Sequence, residues 1–298
     1  MTATDLVLAP AAAAAPVATP PLVSLETSSR WVNASGPGEW ESGTAYLPEC
    51  TAQPDNPYWW SCHEEALSGE APAHTKAVGV NADSVRWRPF EVFDGIACST
   101  FSYRAEEWAA RARRLLAVRT SQYVERELWT GAVAQAAGLP NDYLLDTPTV
   151  LTGPQGLRGA LGELEQAVAD NYDGRPATIH AMPRTVSLWA GLGLLIPSES
   201  RRQLRTHLGT LVVPGTGYPG TGAGDDGAAE KIDSAYAYVT GIVDVVAGPV
   251  RVLAAEGFND ATFDTAVNDF VVRVERTVMY QFDPCLKHGI VVNHTTEL

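Results

Sequence analysis

"VVPGTGYPGTGAGDD", Val212 to Asp226, sets Gly215-x-Gly217-x-x-Gly220 directly behind an apolar run. Read as a dinucleotide fingerprint, the spacing needs a strand before it and a helix after it, so that a pyrophosphate meets the amides of a helix N-terminus. The strand is legible in "LRTHLGTLVV", Leu204 to Val213. The helix is not. "TGAGDDGAAEKID" leads into the β-rich run "AYAYVTGIVDVVAGPVRVL", and Pro219 removes an amide donor just before the third glycine. The stretch also falls late in the chain rather than at a first βα turn. A flexible, exposed loop between strands is the expectation, with a nucleotide-binding α/β oxidoreductase as the remote alternative.

Working outward, the strongest helical pattern lies upstream, in "SYRAEEWAARARRLLAVRTSQYVERELWTGAVAQAAGL" from Ser102. Ser102 can cap it, and Glu106 and Glu107 suit the positive end of the helix dipole. Trp108, Ala112, Leu115, Leu116 and Tyr123 keep an i, i+3/i+4 apolar stripe. The helix is expected to run to about Ala137, bent near Thr130-Gly131, with Gly138-Leu139-Pro140 as the stop. About 35 residues at 1.5 Å each would span roughly 50 Å, a spine rather than a crossover. Between spine and glycine stretch the pattern is α/β: "GLRGALGELEQAVADNY" reads as a helix, "PATIHAMP" as a buried strand, and "RTVSLWAGLGLLI" as a second helix. The chain closes with a long Val-rich strand over Asp269–Phe282, a turn at Asp283-Pro284 and a last strand from His288.

The N-terminal side is different in kind. Residues 1–45 are rich in Ala, Pro, Ser and Gly, with Pro10, Pro16, Pro20, Pro21 and Pro37 breaking any period. Such a segment cannot fold alone and reads as an extended arm lying on a partner. Its first basic residue is Arg30, which argues against a signal peptide. Residues 40–100 carry Trp40, Trp59, Trp60 and Trp87, with Trp31 at the border, yet no long regular element. Apolar surface of that kind must be buried against another part of the chain or another copy.

Bulk composition narrows the classes. The 298 residues carry a net charge of −14, with arginine far outnumbering the three lysines Lys76, Lys231 and Lys287. A broad nucleic-acid-binding face needs clustered positive charge and is not expected. No run of 18 apolar residues occurs, so no membrane span is expected. Cys50, Cys62, Cys98 and Cys285 are too few and too scattered for a disulfide scaffold, and Cys50 and Cys62 have no Cys-x-x-Cys partner pair for zinc. They read as buried or idle thiols in a reducing cytoplasm, with a single disulfide formed later as the alternative. His180, His207 and His288 sit in or beside apolar elements, where hydrogen-bonded structural histidines are usual. His63-Glu64-Glu65 has no second histidine at helical spacing, Asp225-Asp226 read as solvated carboxylates, and Lys76 alone does not support a covalent cross-link. With no Gly-x-Ser-x-Gly elbow either, no catalytic residue, cofactor or metal is expected.

The order of arm, aromatic excursion, spine helix, α/β region with a glycine loop and closing strand resembles the major capsid proteins of tailed bacteriophages, the Hong Kong 97-like α+β fold. "WESGTAYLPEC", "RPFEVFDGIACSTF", "VERELWTG", "ATIHAMPRTVSLWAGLGLL", "LRTHLGTLVVPGTGY" and "VERTVMYQFDPC" are similar to the versions carried by phages of actinobacteria. The resemblance implies an N-arm over 1–45 and an E-loop region over 46–100. It implies a peripheral domain over 101–152 and 256–298 and an axial domain over 153–255, with the glycine loop at 215–230. Trp108, Leu115, Tyr123 and Trp129 would lie on the spine helix. Gly215, Gly217, Tyr218, Gly220, Asp225 and Asp226 would form the assembly loop near the five- and sixfold axes. Trp40, Trp59, Trp60, Trp87 and Phe90 would make arm and E-loop contacts to neighbours.

The resemblance also implies a non-enzymatic protein that assembles with copies of itself as pentamers and hexamers. The shell would enclose double-stranded DNA without sequence-specific binding, with portal, scaffold and decoration proteins as partners and no membrane. The location would be the virion, after assembly in the host cytoplasm. Relatives with a long charged scaffolding segment at the N-terminus differ from this Ala/Pro arm, so a separate scaffold, or none, is expected. An encapsulin-type shell of the same fold is the alternative.

Overall fold

The computed structural model describes residues 21–36, 38–46, 48, 84–99, 105–153, 155–200, 202–223, 233–253, 263–264 and 269–295. In chain order these form α1 (Leu25–Ser28), β1 (Arg30–Asn33), a 3-10 turn (Glu39–Ser42), β2 (Thr44–Tyr46), β3 (Val85–Trp87) and β4 (Phe90–Ser99). The helices α2 (Ala105–Thr130) and α3 (Ala132–Ala137) follow, then β5 (Thr149–Val150), α4 (Leu157–Tyr172), β6 (Ala177–Ala181) and α5 (Pro183–Gly191). The remaining strands are β7 (Leu195–Pro197), β8 (Leu204–Thr206), β9 (Leu211–Pro214), β10 (Ser234–Gly241), β11 (Asp244–Ala247) and β12 (Arg251–Val252). Last come β13 (Phe263–Asp264), β14 (Asp269–Gln281) and β15 (Lys287–Asn293).

The long strand β14 organises the first core. Val272, Val274, Val278 and Tyr280 alternate inward and are buried, while Arg273 points out. β14 pairs antiparallel with β4, β11, β12 and β13, and β1 joins in parallel beside β11. The spine helix α2 packs across this sheet through Ala112, Leu116, Val124 and Leu128, all fully buried. The bend expected near Thr130-Gly131 is present: Gly131 has φ 61, and α3 starts anew behind it. The Glu127 carboxylate accepts from the Val133 and Ala134 amides, each at 2.8 Å, and satisfies the orphan donors of the restarted helix. Gly138, again left-handed, ends it.

The second core forms around the mixed sheet β5-β15-β10-β6-β9-β8-β7. β6, buried at every position, has the continuous apolar burial of a central strand, and α4 and α5 pack near it through Leu161, Leu164, Val186 and Trp189. α5 is shorter than its sequence pattern suggests. Gly193 adopts φ 70, and Leu195–Pro197 leave the helix to form the edge strand β7.

Four expectations need correction. Residues 21–46 do not wait for a partner: Leu25 is fully buried in the first core and Arg30–Asn33 extend its sheet, because tertiary contacts supply the apolar cover that local sequence lacks. Trp87 and Phe90 are likewise not free for a neighbour. Both are buried in this chain, Trp87 against Tyr280 and Phe282 at ring-centroid distances of 5.5 and 5.1 Å. The expected domain boundaries are crossed by pairing. β11 and β12, inside the range 153–255, join β14, whereas β15, inside 256–298, joins β10. Short Val-rich strands look alike in sequence, and register with a particular neighbour decides their sheet. Finally, Cys285 is disulfide-bonded rather than an idle thiol. Trp59, Trp60, Cys50, Cys62, His63 and Lys76 lie outside the described residues.

Candidate functional site

The glycine stretch leaves β9 at Pro214 and turns back at once, with the Tyr218 amide donating to the Gly215 carbonyl at 3.2 Å. Among the described residues the next element is the strand β10, and none of them forms the helix a dinucleotide would need. The stretch is not an exposed loop over its described part either. Gly217 lies so close to the spine helix that a Cβ there would meet the Gln122 carbonyl oxygen at 2.1 Å, an approach open only to glycine. Trp129 Nε1 donates to the Thr221 carbonyl at 3.2 Å, and the Tyr236 amide to the Gly220 carbonyl at 2.8 Å. Gly215, Tyr218 and Gly220 are buried by these contacts. Asp225 and Asp226 lie outside the described residues.

Beneath the turn sits a buried polar relay. Glu125 of α2 accepts the Gly217 amide at 2.9 Å and the Leu25 amide of α1 at 3.0 Å, with Ser121 Oγ donating at 3.0 Å. Burial pushes its carboxyl above the usual range, and the four protein donors around it, Thr216 included, pull the other way. Tyr218 packs on Trp129 with centroids 5.0 Å apart, and its hydroxyl lies 2.8 Å from His180 Nδ1. His180 Nε2 lies 2.9 Å from Thr240 Oγ1, whose own proton goes to the Gly241 carbonyl. Thr240 must therefore accept, which places the imidazole proton on Nε2 and leaves Nδ1 to accept from Tyr218. Burial holds the His180 pKa down to about 3, so the ring is neutral at physiological pH. Fully enclosed and with both nitrogens matched, His180 is a structural histidine. His207 Nε2 lies 3.0 Å from the Gly193 carbonyl, and His288 is buried within β15, which lowers its pKa from the ordinary value.

Of the spine residues, Trp129 is fully buried, while Trp108, Leu115 and Tyr123 are only partly covered. Trp40 is half-buried, with its ring against Gly248. A cleft of about 440 Å³ lies where the two cores meet, lined by Arg30, Tyr172, Arg175, Asp244 and Asp283. Its charges cancel internally: Arg30 pairs with Asp244, and Arg175 lies 3.9 Å over the Tyr172 ring and 3.9 Å from Asp283. Among the described residues no cluster could hold a metal ion, and no helix is long and apolar enough to cross a membrane. What sequence reasoning missed is the exposed apolar set. Phe93 and Leu253 stand 71% and 55% exposed on the outer face of the β14 sheet, and Leu208 is 80% exposed at the tip of the β8–β9 hairpin. Alternation in "FEVF" carried the Phe93 signal, since Val92 beside it is buried.

No family model matches the chain, and no curated protein matches it in sequence. Solved structures do match, over nearly the whole length. The capsid of a native GTA particle aligns with a TM-score of 0.53 at 12% identity, over 97% of this chain and 96% of the other. A structure from Mycobacterium phage Cain gives 0.53 at 12% identity, over 98% and 94%. The holo-SrpI encapsulin complex from Synechococcus elongatus gives 0.50 at 12% identity, over 96% and 93%. The chain thus has the α+β Hong Kong 97-like capsid fold, as its sequence resemblance implied. This is the fold of structural, non-enzymatic proteins that form homo-oligomeric shells.

Proposed function

We propose that the chain is the major capsid protein of a tailed bacteriophage, assembling as pentamers and hexamers into a head shell around double-stranded DNA. The supporting observation is the end-to-end likeness to the Mycobacterium phage Cain structure, whose length this chain covers to 94%. The sequence stretches from "WESGTAYLPEC" to "VERTVMYQFDPC" point to phages of the same bacterial group. A net charge of −14 suits a wall along which packaged DNA must slide without sticking. Phe93, Leu253 and Leu208 offer apolar contacts that a single chain leaves in water. In this reading the stretch from Gly215 to Glu230 lines the symmetry axes, rooted on the spine helix through Gly217. Portal, scaffold and decoration proteins are its further partners.

The encapsulin likeness supports a second reading, a nanocompartment shell around cargo enzymes. Expressing the chain alone and imaging it by negative-stain electron microscopy tests shell formation. Shells, capsomer rings or tubes tens of nanometres across support the proposal. A monomer or dimer that binds a nucleotide overturns it. Particles purified from the native source then separate the two readings: a portal vertex and enclosed DNA mark the phage shell, and peptide density on the inner wall marks a cargo shell.

A further inference from the structure

Three segments far apart in sequence converge on one buried carboxylate. The arm enters through α1, where Leu25, its first residue, donates its amide to Glu125 Oε1 at 3.0 Å, and the Glu26 amide reaches Ser121 Oγ at 3.4 Å. The glycine stretch arrives from the other side, where the Gly217 amide and Thr216 Oγ1 approach Glu125 Oε2 at 2.9 and 3.4 Å. The spine helix supplies Glu125 itself and Ser121, which donates to Oε1. Each oxygen thus serves one segment, and Glu125 is fully buried between them. These partners are uncharged donors, so the carboxyl oxygens are satisfied by amides and hydroxyls that belong to separable pieces of chain.

We infer that Glu125 is a coupling residue that makes docking of the N-terminal arm and seating of the glycine stretch depend on each other. If the arm lifts, Oε1 loses the Leu25 amide and the carboxylate reorients toward the remaining donors or toward water. The Gly217 amide then loses a correctly aimed acceptor. Displacing the glycine stretch acts in reverse on Leu25, because a coupling free energy is reciprocal. Gly217 sits against the backbone of α2, where the Gln122 carbonyl and Arg126 amide are its near neighbours, so its displacement must be felt at this turn of the spine. A contact that engages the arm would therefore be read at the glycine turn through Glu125, beyond the packing of α1 beside β9. The coupling is a property of the single chain and stands or falls apart from the shell reading.

The test is amide hydrogen exchange on the full chain in dilute, unassembled solution. Thr27→Ala loosens α1 by removing the hydroxyl that the Ser24 amide donates to, and it touches neither Glu125 nor the glycine stretch. Gly217→Ala displaces the glycine stretch. Coupling predicts that Thr27→Ala lowers protection at Gly217 as well as Leu25, at least threefold at each, and that Gly217→Ala does the same at Leu25. In a Glu125→Gln background the distant effect of Thr27→Ala should vanish while the local one remains. Effects confined to the mutated segment overturn the inference, as does a distant effect that survives unchanged in Glu125→Gln. Should Glu125→Gln not fold, the reciprocal pair Thr27→Ala and Gly217→Ala still decides, because either one acting only locally is sufficient to refute it.

Discussion

Replacing Trp87 with alanine separates two roles for the aromatic excursion. The indole is fully buried and meets Tyr280 edge-on at 5.5 Å and Phe282 at 5.1 Å, both in or beside the strand that organises the first core. Removing a buried Trp costs about 3–5 kcal/mol, through lost transfer free energy and the cavity left behind. The two ring contacts place this site toward the upper part of that range, since each aromatic pair adds about 0.5–1.5 kcal/mol beyond burial. With an unfolding entropy of about 2.1 cal/mol/K per residue, 298 residues give roughly 0.6 kcal/mol/K, so the melting temperature should fall by about 5–8 °C. The assay is thermal or urea unfolding of the chain at concentrations where sedimentation shows no assembly. A variant that melts within a degree of the parent but no longer assembles would refute the reasoning. It would return Trp87 to the role of a contact between copies.

Three further outcomes can be checked on the same preparation. His180 is neutral in the fold with a pKa near 3 against 6.5 when free, so the unfolded chain binds the extra proton. Its contribution, on the order of 4–5 kcal/mol at full extent, is present above pH 6.5 and lost as pH falls toward 3. Urea midpoints across that window should drop more steeply for the parent than for His180→Gln, and parallel slopes would contradict the assignment. Gly131→Ala combines a left-handed φ of 61 with a Cβ only 2.2 Å from the Tyr143 ring. It should cost about 2–4 kcal/mol, read as a lower urea midpoint; a change under about 0.5 kcal/mol would contradict it. Peptide mapping without reductant should recover Cys285 in a cross-linked peptide, and an alkylated, free Cys285 thiol would exclude the disulfide.

Periodic elements were legible because period is local. The stripe through Ala112 and Leu116, the glycine bend at Gly131, and the long strand from Asp269 all appear where their patterns place them. Partner choice was not legible, because β11 and β15 are both short strands with a Val-Val pair and differ mainly in which neighbour they meet. The same gap misplaced Trp87 and the part of the arm that holds Leu25. An aromatic or apolar residue in a Pro- and turn-rich segment announces that it must be covered, and nothing local says whether the cover is its own β14 sheet or a second copy.

The glycine stretch shows how the two kinds of information combine. Spacing alone could not distinguish a phosphate cradle from a loop, and the β-rich run that follows in sequence made the cradle the remote alternative. What remained hidden was the opposite side of the contact. Glu125 gave no signal within "VERELWTG" beyond a charge on a helix, and a charge run on a helix is ordinarily solvated. Its burial becomes intelligible only once Gly217 and Leu25 are seen to aim their amides at it. A carboxylate is tolerated at the meeting point of spine, arm and glycine stretch because those segments bring otherwise unpaired amides with them, and each amide needs the acceptor as much as the acceptor needs it. Gly217 at this root therefore serves close approach to the helix rather than looseness.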